Sequence, residues 1–159
     1  MYYPLMLNLK GKNIVIVGGG QVAYQKLKGL ENTGSNIKIV SPTISINIKE
    51  WLTHHRAEWI CKRYEATDIV DAYMIFATTN NRDVNEEIRR NKRPNQLLLI
   101  ADNPEESDFI SPAVLRRGKL SIAISTNGAS PTLAKKIKKD LEEQFQESYA
   151  DYVQFLEDG

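Results

Sequence analysis

Between residues 13 and 102 the chain switches repeatedly between short apolar runs and longer stretches with helical spacing. The run 13–17, NIVIV, is rich in β-branched residues and predicts a strand buried on both faces. Residues 21–32 put Val22, Ala23, Leu27 and Leu30 at helical spacing, and Gly34 stands just beyond as a stop signal. NIKIV at 36–40 predicts a second strand, closed by Ser41 and Pro42. SINIKEWLTHH at 45–55 reads as a short helix, AEWICKRY at 57–64 as a third strand, and AYMIFATT at 72–79 as a fourth. NRDVNEEIRRNK at 81–92 is a polar helix with a narrow apolar stripe, Val84 and Ile88, and QLLLIAD at 96–102 is a fifth strand. Strand and helix in strict alternation predict a parallel sheet covered on both faces.

The rhythm then changes. Residues 108–128 predict two short strands around an Arg-Arg-Gly turn, and residues 130–159 predict one long helix or two. The expected fold class is α/β: a Rossmann-like, doubly wound parallel sheet, followed by a small α+β region and a short helical tail. The expected boundaries are 1–111, 112–147 and 148–159.

Composition narrows the function classes. Hydrophobic residues make up 42% of the chain, enough for a core, and the net charge of +1 implies no polyelectrolyte partner. Nucleic-acid binding is not expected, because Asp140, Glu142 and Glu143 follow the lysines of the last segment directly. Cys61 is the only cysteine, so no internal disulfide can form, which fits a reducing cytosol. Its apolar-rich surroundings, EWICKRY, predict a core or strand residue. The start, MYYPLMLNLKGK, is too soon interrupted for a signal peptide, and no apolar run approaches the roughly 20 residues of a membrane span. A cytoplasmic protein is expected. His54 and His55 are adjacent and do not share a helix face, and no Cys/His cluster has zinc spacing, so no metal site is predicted.

The chemistry begins at Gly18-Gly19-Gly20. A strand that runs straight into G-x-G-x-x-[GA] and then a helix is the pattern of a dinucleotide site, here on Gly18, Gly20 and Ala23. Gly18 makes the tight turn, Gly20 lets the backbone approach a pyrophosphate, and Ala23 allows close helix–sheet packing. The free N–H groups of the helix start suit a phosphate. About 20 residues on, such folds often carry an acid for the ribose hydroxyls. Here the second strand ends in Ser41, uncharged and with no Arg beside it, which leans toward NAD over NADP.

Several stretches together resemble the precorrin-2 dehydrogenase/sirohydrochlorin ferrochelatase family, the N-terminal half of bacterial siroheme synthase and its free-standing relatives. They are YYPLMLNLKGKNIVIVGGGQVAYQK, IVSP, IFATTNNRDVN, DNPEESDFISPA, RRGKLSIAISTNGASPTLAKKIK and YADYVQFL, in order along nearly the whole chain. The resemblance implies NAD-dependent oxidation of precorrin-2 to sirohydrochlorin, a tetrapyrrole with eight carboxylates. Some members then insert Fe2+ as a second substrate. It also implies a homodimer, with a dimerisation region after the Rossmann domain.

The cofactor-binding set expected on this basis is Gly18, Gly20, Gln21, Val22, Ala23, Ser41, Pro42, Thr43, Thr78 and Thr79. In the family the acid that ends the fifth strand before a Pro-containing turn is the proposed acid/base group, which is Asp102 here. Independently, ligands of doubly wound sheets bind beyond the carboxyl ends of the strands, and a dehydrogenation needs a proton acceptor. Leu99 stands where the family usually has Asn, and family chains carry a fuller helical tail.

Ser125, Thr126, Asn127 and Gly128 precede a helix opened by Ser130 and Pro131, a good cap and a good first-turn residue. The family places this loop near the active site, and Thr126 aligns with a serine that is phosphorylated in some members. Arg116 and Arg117, and Lys135, Lys136, Lys138 and Lys139, read either as a solvated face or as a rim for a polycarboxylate. A module that binds NAD(H) without chemistry, or a degenerate homologue, would share the glycine turn without needing Asp102.

Overall fold

The β-branched runs form the centre of a sheet. The computed structural model describes residues 1–159 and divides them into two compact units: Leu5–Ile110, and Met1–Pro4 together with Ser111–Gly159. In the first unit, strands β1 (Asn13–Val17), β2 (Asn36–Val40), β3 (Glu58–Ile60), β4 (Met74–Ala77) and β5 (Leu97–Ile100) are all parallel, in the order β3-β2-β1-β4-β5. Helices α1 (Gln21–Gly29), α2 (Ile46–His54) and α3 (Arg82–Asn91) supply three of the four crossovers, and the β3–β4 connection carries only a short 3-10 turn at Ala66–Ile69.

Successive strand residues face opposite ways, so each strand feeds two cores. Ile14, Ile16, Ile39, Phe76 and Leu99 pack with Ala23 and Leu27 of α1 and Ile48 and Trp51 of α2. Val15, Val17, Val40, Ile75 and Leu98 pack with Ile88 of α3 and Ile69. Burying each such aliphatic side chain contributes about 1.5–3 kcal/mol. Both faces being covered is why the strands read as unbroken apolar runs.

Strands β1 and β2 keep their expected bounds, whereas the other elements of this unit come out shorter than their sequence patterns. Helix α1 stops at Gly29, because the chain turns through left-handed Asn32 (φ +64°) and Gly34 (φ +73°). Strand β3 keeps three residues, paired only to Lys38–Val40 at the sheet edge. Cys61 therefore lies beyond it and is exposed, not in the core, with its Sγ 3.1 Å from the Pro42 carbonyl. At the other edge, residues 103–108 fold back over β5. Asp108 N–H donates to Leu98 O (2.7 Å), Leu98 N–H donates to Asp108 Oδ2 (2.9 Å), and Ile100 N–H donates to Ser107 Oγ (2.9 Å). That cover removes a free edge that would otherwise template pairing with another chain.

The second unit is a hairpin, β6 (Ala113–Arg117) and β7 (Leu120–Ile124), with helices α4 (Pro131–Gln144) and α5 (Ser148–Asp158). Gly118, left-handed at φ +59°, makes the two-residue turn. A side chain on it would meet Ala150 Cβ at 3.0 Å, so the turn lies against α5. The tail thus clusters with the hairpin instead of standing apart, and the observed division, at Ile110/Ser111, lies one residue before the expected one.

Candidate active site

Parallel register brings four strand ends into one row. Val17 lies opposite Val40 and Ala77, and Ala77 lies opposite Ile100. The segments that leave this row are the glycine turn, Ser41-Pro42-Thr43, Thr78-Thr79 and Ala101-Asp102. The strand order reverses between β1 and β4, the switch point where doubly wound sheets open a crevice.

The three glycines have different reasons to lack a side chain. Gly18, at φ +127°, would put a Cβ 2.5 Å from Thr78 Oγ1 and 2.9 Å from Thr78 O. Gly19 would put one 2.0 Å from Thr43 O and 2.8 Å from Ser41 Oγ. Its carbonyl also accepts from Ser45 N–H (2.8 Å). Both therefore serve the packing of neighbouring loops. Gly20 is different: a Cβ there meets no atom within 4 Å. It is the N-cap of α1, no side chain caps that helix end, and no acid sits in its first turn. A small open cradle at uncapped backbone N–H groups fits a pyrophosphate. Gln21 and Val22 are exposed beside it, while Ala23 is fully buried and lets α1 pack on the sheet.

Three of the four hydroxyls in the expected cofactor set, those of Ser41, Thr78 and Thr79, bond to the protein itself. Ser41 Oγ donates to Thr43 O (2.6 Å) and Thr78 Oγ1 donates to Val17 O (2.9 Å). Thr79 Oγ1 lies 2.6 Å from Asn85 Oδ1 and 2.9 Å from Asn81 O, and accepts from Asn81 N–H (3.2 Å). These residues shape the loops with their side chains. Pro42 and Thr43 are exposed at the end of β2.

Asn85 is not among the residues the sequence points to. It is only 3% exposed, and its Nδ2 donates to Thr79 O (3.1 Å), so both ends of its amide hold the β4–α3 turn. The signal that could find it is spacing: three residues before buried Ile88, a polar residue shares the apolar face. Gly19, the middle glycine, likewise has no role in the sequence pattern.

Asp102 lies just beyond β5, with its side chain 48% exposed and its Oδ2 3.8 Å from Arg82 Nε. Two strand steps, roughly 10 Å in all, separate it from the glycine turn. Leu99 points away from this row and into the core, 6% exposed.

In the second unit, Ser125-Thr126-Asn127-Gly128 forms a tight polar turn. Asn127 (φ +55°) and Gly128 (φ +87°) are both left-handed. Thr126 Oγ1 accepts from Ser130 N–H (2.9 Å), and Ser125 Oγ accepts from Asn127 N–H (3.1 Å). Asn127 Oδ1 accepts from Tyr2 N–H (3.1 Å). Ser130 caps α4 as expected, accepting from Leu133 N–H (3.1 Å). Arg116 is exposed. Arg117 closes the C-terminal end of α4, where its Nε donates to Phe145 O (2.8 Å) and its Nη2 to Glu142 O (3.4 Å).

The fold and the glycine turn define the class of a Rossmann-type dinucleotide-binding protein. Comparison with known proteins agrees. Residues 5–113 match the family described as NAD(P)-binding, and residues 117–144 match the one described as the sirohaem biosynthesis protein central region. The precorrin-2 dehydrogenase of Priestia megaterium is 38% identical over 97% of this chain and 76% of its own length. That of Bacillus subtilis (strain 168) is 33% identical over 87% of this chain and 86% of its own. The siroheme synthase of Nitrosococcus oceani is 30% identical over 97% of this chain but only 33% of its own length. A solved structure described as SirC, precorrin-2 dehydrogenase, superposes with a TM-score of 0.84 at 38% identity, covering 99% of this chain and 78% of that one. The chain belongs to the precorrin-2 dehydrogenase family, and its cofactor is of the nicotinamide dinucleotide class.

Proposed function

We propose that this chain is an oxidoreductase that converts precorrin-2 to sirohydrochlorin in siroheme biosynthesis, with NAD as cofactor and Asp102 as the proton acceptor. The observation that carries the reading is the row of strand ends: an open phosphate cradle at Gly20 and a half-exposed carboxylate at Asp102, on one side of one sheet, in a chain of this family.

Oxidation of the tetrapyrrole removes one hydride and one proton. A bound nicotinamide dinucleotide supplies the hydride acceptor. The backbone around Gly20 and the uncapped start of α1 bind its phosphates, and the loops held by Ser41, Thr78, Thr79 and Asn85 shape the crevice. Asp102 takes the proton on a carboxylate oxygen, at a distance from the phosphates that separates chemistry from cofactor binding. NAD is favoured because residues 41–45, Ser-Pro-Thr-Ile-Ser, offer no cation to a 2′-phosphate. Ser125, Thr126, Asn127, Gly128, Arg116 and Arg117 remain the proposed substrate-facing residues of the second unit. Arg117 has the weaker case, because its guanidinium is spent on α4.

A homodimer is part of the same proposal. The second unit buries only two hydrophobic side chains, Leu115 and Ala134, and leaves Tyr3, Leu133, Phe155 and Leu156 exposed. A cytoplasmic setting accords with the exposed free thiol of Cys61. No helix is long and apolar enough to cross a membrane. Fe2+ insertion, proposed as a second activity, would use the macrocycle's own nitrogens as ligands.

The test is absorbance at 340 nm with precorrin-2 and NAD or NADP, followed anaerobically by Fe2+ addition. NADH formation that depends on precorrin-2 is expected. Binding of NAD without turnover would favour a sensing module, and equal use of NADP would remove the cofactor assignment.

A further inference from the structure

Three cations of α3 and its C-cap face the returning segment 102–108 in order. Arg82 Nε lies 3.8 Å from Asp102 Oδ2, Arg89 Nη1 lies 3.7 Å from Glu106 Oε2, and Lys92 Nζ lies 3.0 Å from Asp108 Oδ2. The lowest rung is built to last. Lys92 is 19% exposed, and Asp108 is held on the β5 backbone. Arg89 is also forked onto Glu86, which depresses that carboxyl's pKa.

The top rung is different. Arg82 is 89% exposed, it makes no hydrogen bond to Asp102 within 3.5 Å, and unlike Arg89 it has no second carboxylate partner. An exposed, monodentate pair of this kind adds little to stability. Arg82 is also the first residue of α3, where a cation opposes the helix dipole, and Asn81 already caps that end through Asp83 N–H and Val84 N–H. Neither the helix nor the ladder needs Arg82. What it does have is a fork of N–H donors in solvent, at the strand-end row, beside the proposed base.

We propose that Arg82 is a substrate-binding residue that takes one carboxylate of the tetrapyrrole, and that Asp102 holds its place until substrate arrives. This rests on the proposed function, whose substrate carries eight carboxylates. Arrival of a substrate carboxylate on Arg82, where the guanidinium can be met by both oxygens, displaces the looser Asp102 contact. It leaves the Asp102 carboxylate uncovered beside the macrocycle, so that docking and readiness of the base become one event. No covalent bond changes in this exchange.

The experiment titrates sirohydrochlorin, the product, into the full-length protein without NAD, followed by its absorbance, and measures precorrin-2 kinetics in parallel. Arg82→Gln is expected to weaken sirohydrochlorin binding and raise KM for precorrin-2 by about five- to tenfold, with kcat within about twofold and NAD affinity unchanged. Arg82→Lys should fall between, and the salt dependence of KM should flatten in Arg82→Gln. Asp102→Asn, which removes the place-holder, should bind sirohydrochlorin at least as well as the wild type. Thermal unfolding of Arg82→Gln should match the wild type. Wild-type binding and turnover with undiminished binding in Arg82→Gln would overturn the inference and leave the function standing. Weaker product binding in Asp102→Asn would overturn the place-holder role. A wild type that neither binds sirohydrochlorin nor oxidises precorrin-2 would overturn both.

Discussion

Gly19 and Gly20 are neighbours with opposite reasons to lack a side chain, and that contrast separates folding from binding. A methyl on Gly19 meets the Thr43 carbonyl at 2.0 Å, so the β2–α2 loop must move. Gly19→Ala should cost about 1–3 kcal/mol, the usual range for overpacking, and lower the melting temperature by several degrees. A methyl on Gly20 meets nothing of the protein, and its φ of −100° suits any residue. Gly20→Val should therefore keep the native far-UV dichroism and thermal midpoint while abolishing NAD binding by calorimetry. Normal NAD affinity in that variant would remove the glycine turn from the phosphate site. Asp102 makes the complementary prediction. Asp102→Asn keeps the shape and removes the base, so precorrin-2 oxidation should slow by at least ~100-fold while NAD affinity changes by less than ~1 kcal/mol. Full activity at 340 nm would show that another group takes the proton.

Among the helices, α4 is closed at its C-terminal end by a side chain distant in sequence. Its first turn is closed locally by Ser130, but its last carbonyls are met by Arg117 of the hairpin. A cation at a helix C-terminus is favoured by both the dipole and the unpaired carbonyls. Arg117→Met, which keeps much of the side chain's bulk, should destabilise by about 1 kcal/mol and raise amide exchange first in the last turn of α4. Unchanged exchange there would mean that water replaces the guanidinium at no cost. The α3 turn shows the same division of labour: Asn81 caps locally, whereas Asn85 reaches back to Thr79 and fixes the turn that leaves β4. The Ser130 cap was legible in the sequence, whereas the pattern there includes Asn81 in the helix. The reach of Arg117 and Asn85 was not legible, because each answers backbone groups that only the folded chain brings near.

For the whole molecule, the two units differ in how completely they bury their own apolar surface. The sheet unit has a core on each face, with Ile14, Ile16, Ile39 and Leu98 fully buried. The hairpin and its two helices bury Leu115 and Ala134 and leave most other apolar residues part-exposed. So little burial rarely supports an independent fold of this size. A dimer at tens of micromolar is the expected result of light scattering, and a well-folded monomer at that concentration would contradict it.

The alternation of strand and helix, the glycine turn and the change of rhythm after residue 102 were already present in the order of residues. They rest on side-chain periodicity and turn chemistry, which act between near neighbours. What only the tertiary structure decided was the use of each residue at the site. It bonded Ser41, Thr78 and Thr79 to the protein itself, gave Gly19 to the Thr43 loop and left Gly20 open. It placed Cys61 outside β3 and set Arg82 against Asp102. Each outcome depends on which strand ends lie side by side, and parallel pairing joins segments far apart in the chain, so no local pattern carries that information.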